Sequence, residues 1–326
     1  MFARTMTQTP DAILNELAVW LKATIVAEVY ARVTHIPMLA HYTNLDAFKS
    51  ILRSRELWFS LIRDSTDTSE ATEGSKIVAA ALAEHGPEIF TNYATFDVPR
   101  QFEARRHMLE TETHVFSLCE HGSDQRTDRL VMWQEYGRRG NGLCLILRKQ
   151  TMLGQTAKGL FPVHWCPIEY EDAATLGARV RHRLQQVQDA IDATPMAETL
   201  PGHALGMMVA GCVVQLILGH KNVAYEHEKE VRFVRSGLLQ ELVPPEGAGY
   251  RTVTVDGQER SKFILPLRKY PEFSIDASLP ALLDHIIIGP SVEQEQMFQE
   301  VRAILDANDL TQVGVHRSEI PYRAVR

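Results

Sequence analysis

The stretch Met38-Leu39-Ala40-His41-Tyr42-Thr43-Asn44-Leu45-Asp46-Ala47-Phe48-Lys49-Ser50-Ile51-Leu52 decides the fold class. Its first six residues read as a strand. Asn44 then offers a side-chain oxygen to the unpaired N–H groups of a helix start. Leu45, Phe48, Ile51 and Leu52 follow at helical spacing on one face. Leu57, Trp58 and Phe59 read as a second short strand. Strand, capped helix and strand in close succession define a chain that mixes both element types. They also leave His41 and Tyr42 at the end of the first strand.

Upstream, Thr9-Pro10-Asp11 signals a helix start: a hydroxyl cap, a proline at the first helical position, then an acid near the positive end of the dipole. Ile13, Leu14, Leu17, Leu21, Ile25 and Val29 continue it to about Arg32. Downstream, residues 63–74 are polar and read as a surface loop suited to a lid or to substrate contacts. Helices are expected over 75–84 and 100–110, and a buried strand over 115–119. After a loop over 120–126, Thr127 is expected to cap a helix with Leu130, Met132, Trp133 and Tyr136, the two aromatics as core anchors. A turn at 140–142 leads into a strand over 143–147.

Residues 161–170 read as one strand and 171–193 as a polar helix with Arg179, Arg181, His182 and Arg183. A loop follows, flanked by Pro195 and Pro201. The apolar run between His203 and His220 falls short of a membrane span and reads as a core helix. Residues 230–234 alternate like a half-buried strand. A hairpin starts at 253–257 and returns over 263–267, with a loop longer than the two-residue type. The chain closes with a strand at 286–290, a capping box Ser291-x-x-Gln294, a helix, and a strand over 313–316. With no repeat and no linker, the reading is an N-terminal helix (1–36) followed by a single α+β domain with helical insertions (37–326).

Composition narrows the function classes. The 326 residues carry 34 basic and 41 acidic side chains, a net charge of −7. That balance opposes a general affinity for nucleic acid, whose backbone is neutralised by Lys and Arg. The cysteines Cys119, Cys144, Cys166 and Cys212 form no C-x-x-C pair, so they read as buried, reduced thiols of a cytoplasmic protein. The opening MFARTMTQTP has no apolar stretch of the secretory kind. P-loop, H-E-x-x-H and G-x-S-x-G patterns are absent. Gly137-x-x-Gly140-x-Gly142 follows a helix and precedes a strand, the reverse of the dinucleotide fingerprint. The thirteen histidines are scattered, and no metal site is expected.

Three segments carry candidate chemistry: His41-Tyr42-Thr43, Ser117, and the run from Glu226 to Arg232. In an extended chain Glu228, Glu230 and Arg232 share a face. Two acids and a guanidinium on one face suit a sugar or a phosphate: the acid accepts a ribose hydroxyl, and Arg grips a phosphate in a fixed fork. The same pattern also fits a solvated strand face held by ion pairs.

Taken together, these segments resemble the bacterial family catalogued as domain of unknown function twenty-nine seventy-one. The likeness runs through His41-Tyr42-Thr43, the 64–70 loop, Phe116-Ser117, Met132-Trp133-x-x-Tyr136, Gly142-Leu143-Cys144 and Glu228-x-Glu230-x-Arg232. It ends at Ile287-Ile288-Gly289-Pro290 and Ser318-x-Ile320-x-Tyr322-Arg323. Where that family tends to show an Asn-Asp-Pro-x-Glu loop, this chain has Ser65-Thr66-Asp67-Thr68-Ser69-Glu70. More loosely, the chain is similar to ADP-ribosyltransferases of the His-Tyr-Glu kind. That likeness implies an ADP-ribosyltransferase-like mixed sheet core and NAD as substrate. His41, Tyr42, Thr43, Ser117 and Arg232 would bind NAD, and Glu230, with Glu228 as rival, would be catalytic. It further implies a macromolecular acceptor, protein or nucleic acid, and a setting in phage defence or as a toxin. Two other readings stay open: a non-catalytic nucleotide- or protein-binding regulatory module, and a nucleic-acid-processing enzyme using the 179–183 basic stripe.

Overall fold

The computed structural model describes residues 9–64, 69–90, 96–122, 128–149, 155–156, 159–160, 163–194, 200–236, 246–255, 257–291 and 293–321. In chain order the elements are α1 (Pro10–Val33), β1 (Met38–Thr43), α2 (Leu45–Ser54), β2 (Glu56–Leu61), α3 (Ser69–Ile89), α4 (Val98–Glu112), β3 (His114–His121), α5 (Leu130–Glu135) and β4 (Leu143–Leu147). Four short strands follow, β5 (Gln155–Thr156), β6 (Gly159–Leu160), β7 (His164–Pro167) and β8 (Glu169–Tyr170), then α6 (Ala173–Ala193), α7 (Gly202–Leu218) and β9 (His220–Lys221). The chain continues with β10 (Glu230–Arg235), β11 (Gly249–Val255), β12 (Gln258–Pro266), β13 (Lys269–Tyr270), β14 (Ile275–Asp276), α8 (Leu279–Leu282), β15 (Leu283–Ile288), α9 (Gln294–Asp306) and β16 (Gly314–Arg317).

These elements fall into two compact units. The first joins residues 1–31, 62–113 and 168–224; the second joins 32–61, 114–167 and 225–326. The first is helical, built from α3, α4, α6, α7 and most of α1, with the two-residue pair β8–β9. Its centre is α7, whose Val209, Ala210, Val213, Val214 and Leu218 are fully enclosed, which is why that run is apolar all round. Helix α6 is amphipathic: Leu176, Val180, Leu184 and Val187 are buried. Arg183 pairs with Glu28 and Arg179 with Glu171, so Arg181 and His182 are the exposed members of the basic stripe.

The second unit holds a ten-stranded mixed sheet. Every pairing in it is antiparallel except β15 with β16. The strand–helix–strand opening is as read: Asn44 Oδ1 accepts from Ala47 N at 3.0 Å, and Phe48 and Leu52 face the core.

Strand β3 is the junction of the sheet. One edge pairs with β10 over residues 114–119. The other edge is shared: His114 and Val115 pair with Leu61 and Ser60 of β2, while Cys119 to His121 pair with Ala40 to Met38 of β1. Residues 116–118 have no strand on that edge. The sheet therefore forks at Ser117, with β1 leading to β4, β15 and β16, and β2 leading to β12 and β11.

Several expectations are corrected. The polar 63–74 segment is not a loop throughout: α3 begins at Ser69. The 161–170 strand is two strands, β7 and β8, interrupted at Ile168. Strand β10 is buried at every residue, not half-buried. The 253–267 hairpin is tighter than expected: Val255 pairs with Gln258, and Gly257 takes φ +75°, a conformation glycine adopts without strain; Asp256 lies outside the described residues. The capping box does not form. Helix α9 starts at Gln294, whose Nε2 donates to the Ser318 carbonyl at 2.9 Å instead. Thr127, Tyr322 and Arg323 lie outside the described residues.

Candidate active site

Side chains alternate along a strand, so β1 sends its residues to two layers. Tyr42 and Ala40 pack with Cys119, Met132, Trp133, Cys144, Ile146 and Ile287, beneath α5. His41 goes the other way. Its ring stacks on Phe116 at 4.5 Å, and Nδ1 donates to the Ser117 carbonyl at 3.2 Å. There it borders a cavity of about 20 Å³ with Phe48, Leu57, Phe116, Leu145 and Leu282. Thr43 is buried at the end of β1, opposite Leu143. The structure thus separates His41 from Tyr42.

What the α5 face does assemble is a polar line at the fork. Ser117 is the one exposed residue of β3. Arg232 stands opposite it on β10, and Glu230 opposite Cys119. Glu230 (6% exposed) and Arg232 (3%) are buried and joined twice: Nε to Oε1 at 2.7 Å and Nη2 to Oε2 at 2.9 Å. This planar fork-to-carboxylate match is the strong form of the ion pair.

Glu228 is not on the strand. It ends a 3-10 turn (Val223–Glu228), and Lys229 with φ +44° breaks the extended register before β10. The expected common face of Glu228, Glu230 and Arg232 therefore holds only for the last two. Glu228 is buried and accepts from Tyr136 Oη at 3.0 Å. Tyr136 is an exposed residue, not the expected core anchor; Trp133 is fully buried and is one.

Arg129 ties these parts together, and the sequence reading missed it. Nη1 donates to the carbonyls of Glu228 (2.8 Å) and His227 (3.2 Å), and Nη2 to that of Glu120. Its backbone N–H donates to Tyr42 Oη at 3.0 Å. Burial raises the Tyr42 phenol far above its usual range, so the ring stays neutral and accepts this bond. An arginine between a loop and a helix carries no sequence signal for such a role. The four cysteines are buried and free. Among the described residues no group of three His, Cys, Asp or Glu side chains is placed to hold a metal ion. No helix there is long and apolar enough to cross a membrane.

Burial lowers His41 from 6.5 to about 4, opposed in part by its bond to the Ser117 carbonyl. Desolvation lowers His164, on β7 near Arg235, to about 4 as well. Between these values and 6.5 the unfolded chain binds protons that the folded chain refuses, so stability is full above pH 6.5 and falls as pH drops toward 4. Urea midpoints across pH 4–7 are expected to show this decline. His41→Phe is expected to make it shallower, leaving the share of His164; an unaltered profile would count against a neutral His41.

No protein-family model matches the chain, and comparison with curated proteins and with solved structures returns no match.

Proposed function

We propose that the chain is an ADP-ribosyltransferase-like protein that uses NAD to modify a macromolecular acceptor. The observation that supports this reading is the fork at β3: an exposed Ser117 in a buried strand, with Arg232 opposite it and Glu230 on the same face. A ligand entering from the α5 side meets the Ser117 hydroxyl, with the guanidinium and the carboxylate buried behind it on rigid strands, the kind of fixed arrangement through which positioning and electrostatics lower a barrier.

In this reading the bond between nicotinamide and the ribose C1′ breaks, and nicotinamide leaves with the electron pair. Glu230 steadies the cationic ribose through its hydroxyl. The acceptor's nucleophile then attacks C1′ and gives up its proton to water. Glu228, held by Tyr136, is the rival carboxylate. His41 holds the Ser117 carbonyl from the opposite layer. The resemblance to domain of unknown function twenty-nine seventy-one extends the proposal to a defence or toxin setting in the bacterial cytoplasm.

Nicotinamide release from NAD, with and without cell lysate, tests it. Release by the native protein is expected, with a loss of at least about 100-fold in Glu230→Gln, the size typical for removing a group that stabilises developing charge. Release that needs lysate identifies transfer to a macromolecule. A folded protein that releases none removes the proposal.

One observation favours a second reading. Both oxygens of Glu230 are already engaged by Arg232, which suits a non-catalytic nucleotide-binding regulatory module. Glu230→Gln would then leave function intact.

A further inference from the structure

Trp58 is 41% exposed, yet its ring is fixed. Its Nε1 donates to Glu56 Oε2 at 3.0 Å, and Glu56 Oε1 in turn accepts from Arg251 Nη1 at 2.8 Å. Exposed tryptophans are costly to solubility, and an indole held by a carboxylate that is itself held by a guanidinium is preorganised for contact. Its place in the sheet says contact with what. Ser60 pairs with Val115, the last pairing of β2 with β3 before the fork. Continuing that register sets Trp58 level with Ser117, on the face that carries Ser117 and Arg232. Lys262 pairs with Ser60 on the same face, and its Nζ donates to Ser60 Oγ at 2.6 Å. That face therefore presents a flat, fixed aromatic beside the opening; Arg232 and Lys262 lie on the same face but are buried, held by Glu230 and Ser60. Flat rings stack on such a surface whatever their edges carry.

We propose that Trp58 is the base-stacking platform of the fork site and that the ligand class is an adenine nucleotide. This rests on the NAD reading for the identity of the nucleotide, and on the fork geometry alone for the base.

The test is calorimetric binding of AMP and ADP-ribose to the full chain and to Trp58→Phe, Trp58→Leu and Trp58→Ala. Base stacking on an aromatic predicts a loss of at least about tenfold in affinity for the Leu and Ala variants and near-native affinity for Phe. The Leu variant keeps apolar cover over the sheet, so a lesion in folding would spare it. Affinity in Trp58→Leu equal to native overturns the inference, as does a native protein that binds neither nucleotide. Nicotinamide release, measured in parallel, separates the two claims. AMP binding that needs Trp58 in a protein that releases no nicotinamide keeps the platform and removes the NAD reading. Release that needs Glu230 while Trp58 is indifferent does the reverse.

Discussion

Arg232→Met is expected to destabilise the sheet unit by about 3–5 kcal/mol, because it removes the guanidinium that holds both oxygens of the buried Glu230 carboxylate. The guanidinium and carboxylate sit on a strand enclosed on both edges, so water cannot replace the lost bonds cheaply. The double variant Arg232→Met/Glu230→Leu removes both charges and is expected to recover most of that loss, since a buried pair is often replaceable by apolar residues of similar volume. Glu230→Gln is expected to cost less than Arg232→Met, as the amide oxygen still accepts from the guanidinium. Urea denaturation of the four proteins, with amide exchange on β3 and β10, reads the result. A loss below about 1 kcal/mol for Arg232→Met would show that the charge is not stranded, and the electrostatic account of the fork would have to be withdrawn. The experiment also guards the activity test, because it gives the stability of Glu230→Gln independently of turnover.

The second large effect lies under α5. Trp133 is fully buried; its ring meets Tyr42 edge-on at 4.9 Å, and Nε1 donates to Asp128 Oδ2 at 2.6 Å. Trp133→Ala is expected to cost about 3–5 kcal/mol through lost packing and the cavity left behind. Trp133→Phe keeps much of the packing but leaves Asp128 without its donor, an expected cost of about 1–3 kcal/mol. The Ala variant should also free the start of α5, where Arg129 N–H rests on Tyr42 Oη. Faster amide exchange at Arg129 than at the centre of β4 would register that. Equal costs for Ala and Phe would mean that the hydrogen bond, and not the packing, carries the anchor.

Local readings fared well where one residue type enforces one geometry. Asn44 caps α2, Pro10 opens α1, and the turn before Leu143 starts β4 as expected. Misreadings came where a local pattern had a distant competitor. Ser291-x-x-Gln294 has the letters of a capping box, but Gln294 finds the Ser318 carbonyl, 24 residues on. Glu228, Glu230 and Arg232 have the spacing of one strand face, but Lys229 turns the chain between the first two. The separation of His41 from Tyr42 was legible all along: neighbours on a strand point to opposite faces. The resemblance, which assigns both to one ligand, ran against that rule.

By itself, the sequence determined local elements such as α1, α2 and β4: apolar periodicity and caps act over a few residues, and physics at that range is written in the order of the letters. It also determined that Ser117 interrupts an apolar strand and that Trp58 alternates with Leu57 and Phe59. Only the tertiary structure decided that β1 and β2 share one edge of β3, and that the strands part at Ser117. It alone joined Arg129 to Glu120, His227 and Glu228, and Trp58 to Arg251 through Glu56. Strand pairing and ion pairing between distant residues depend on which segments meet. Many partners offer the same N–H, C=O or charge, and only the packing of the whole chain selects among them.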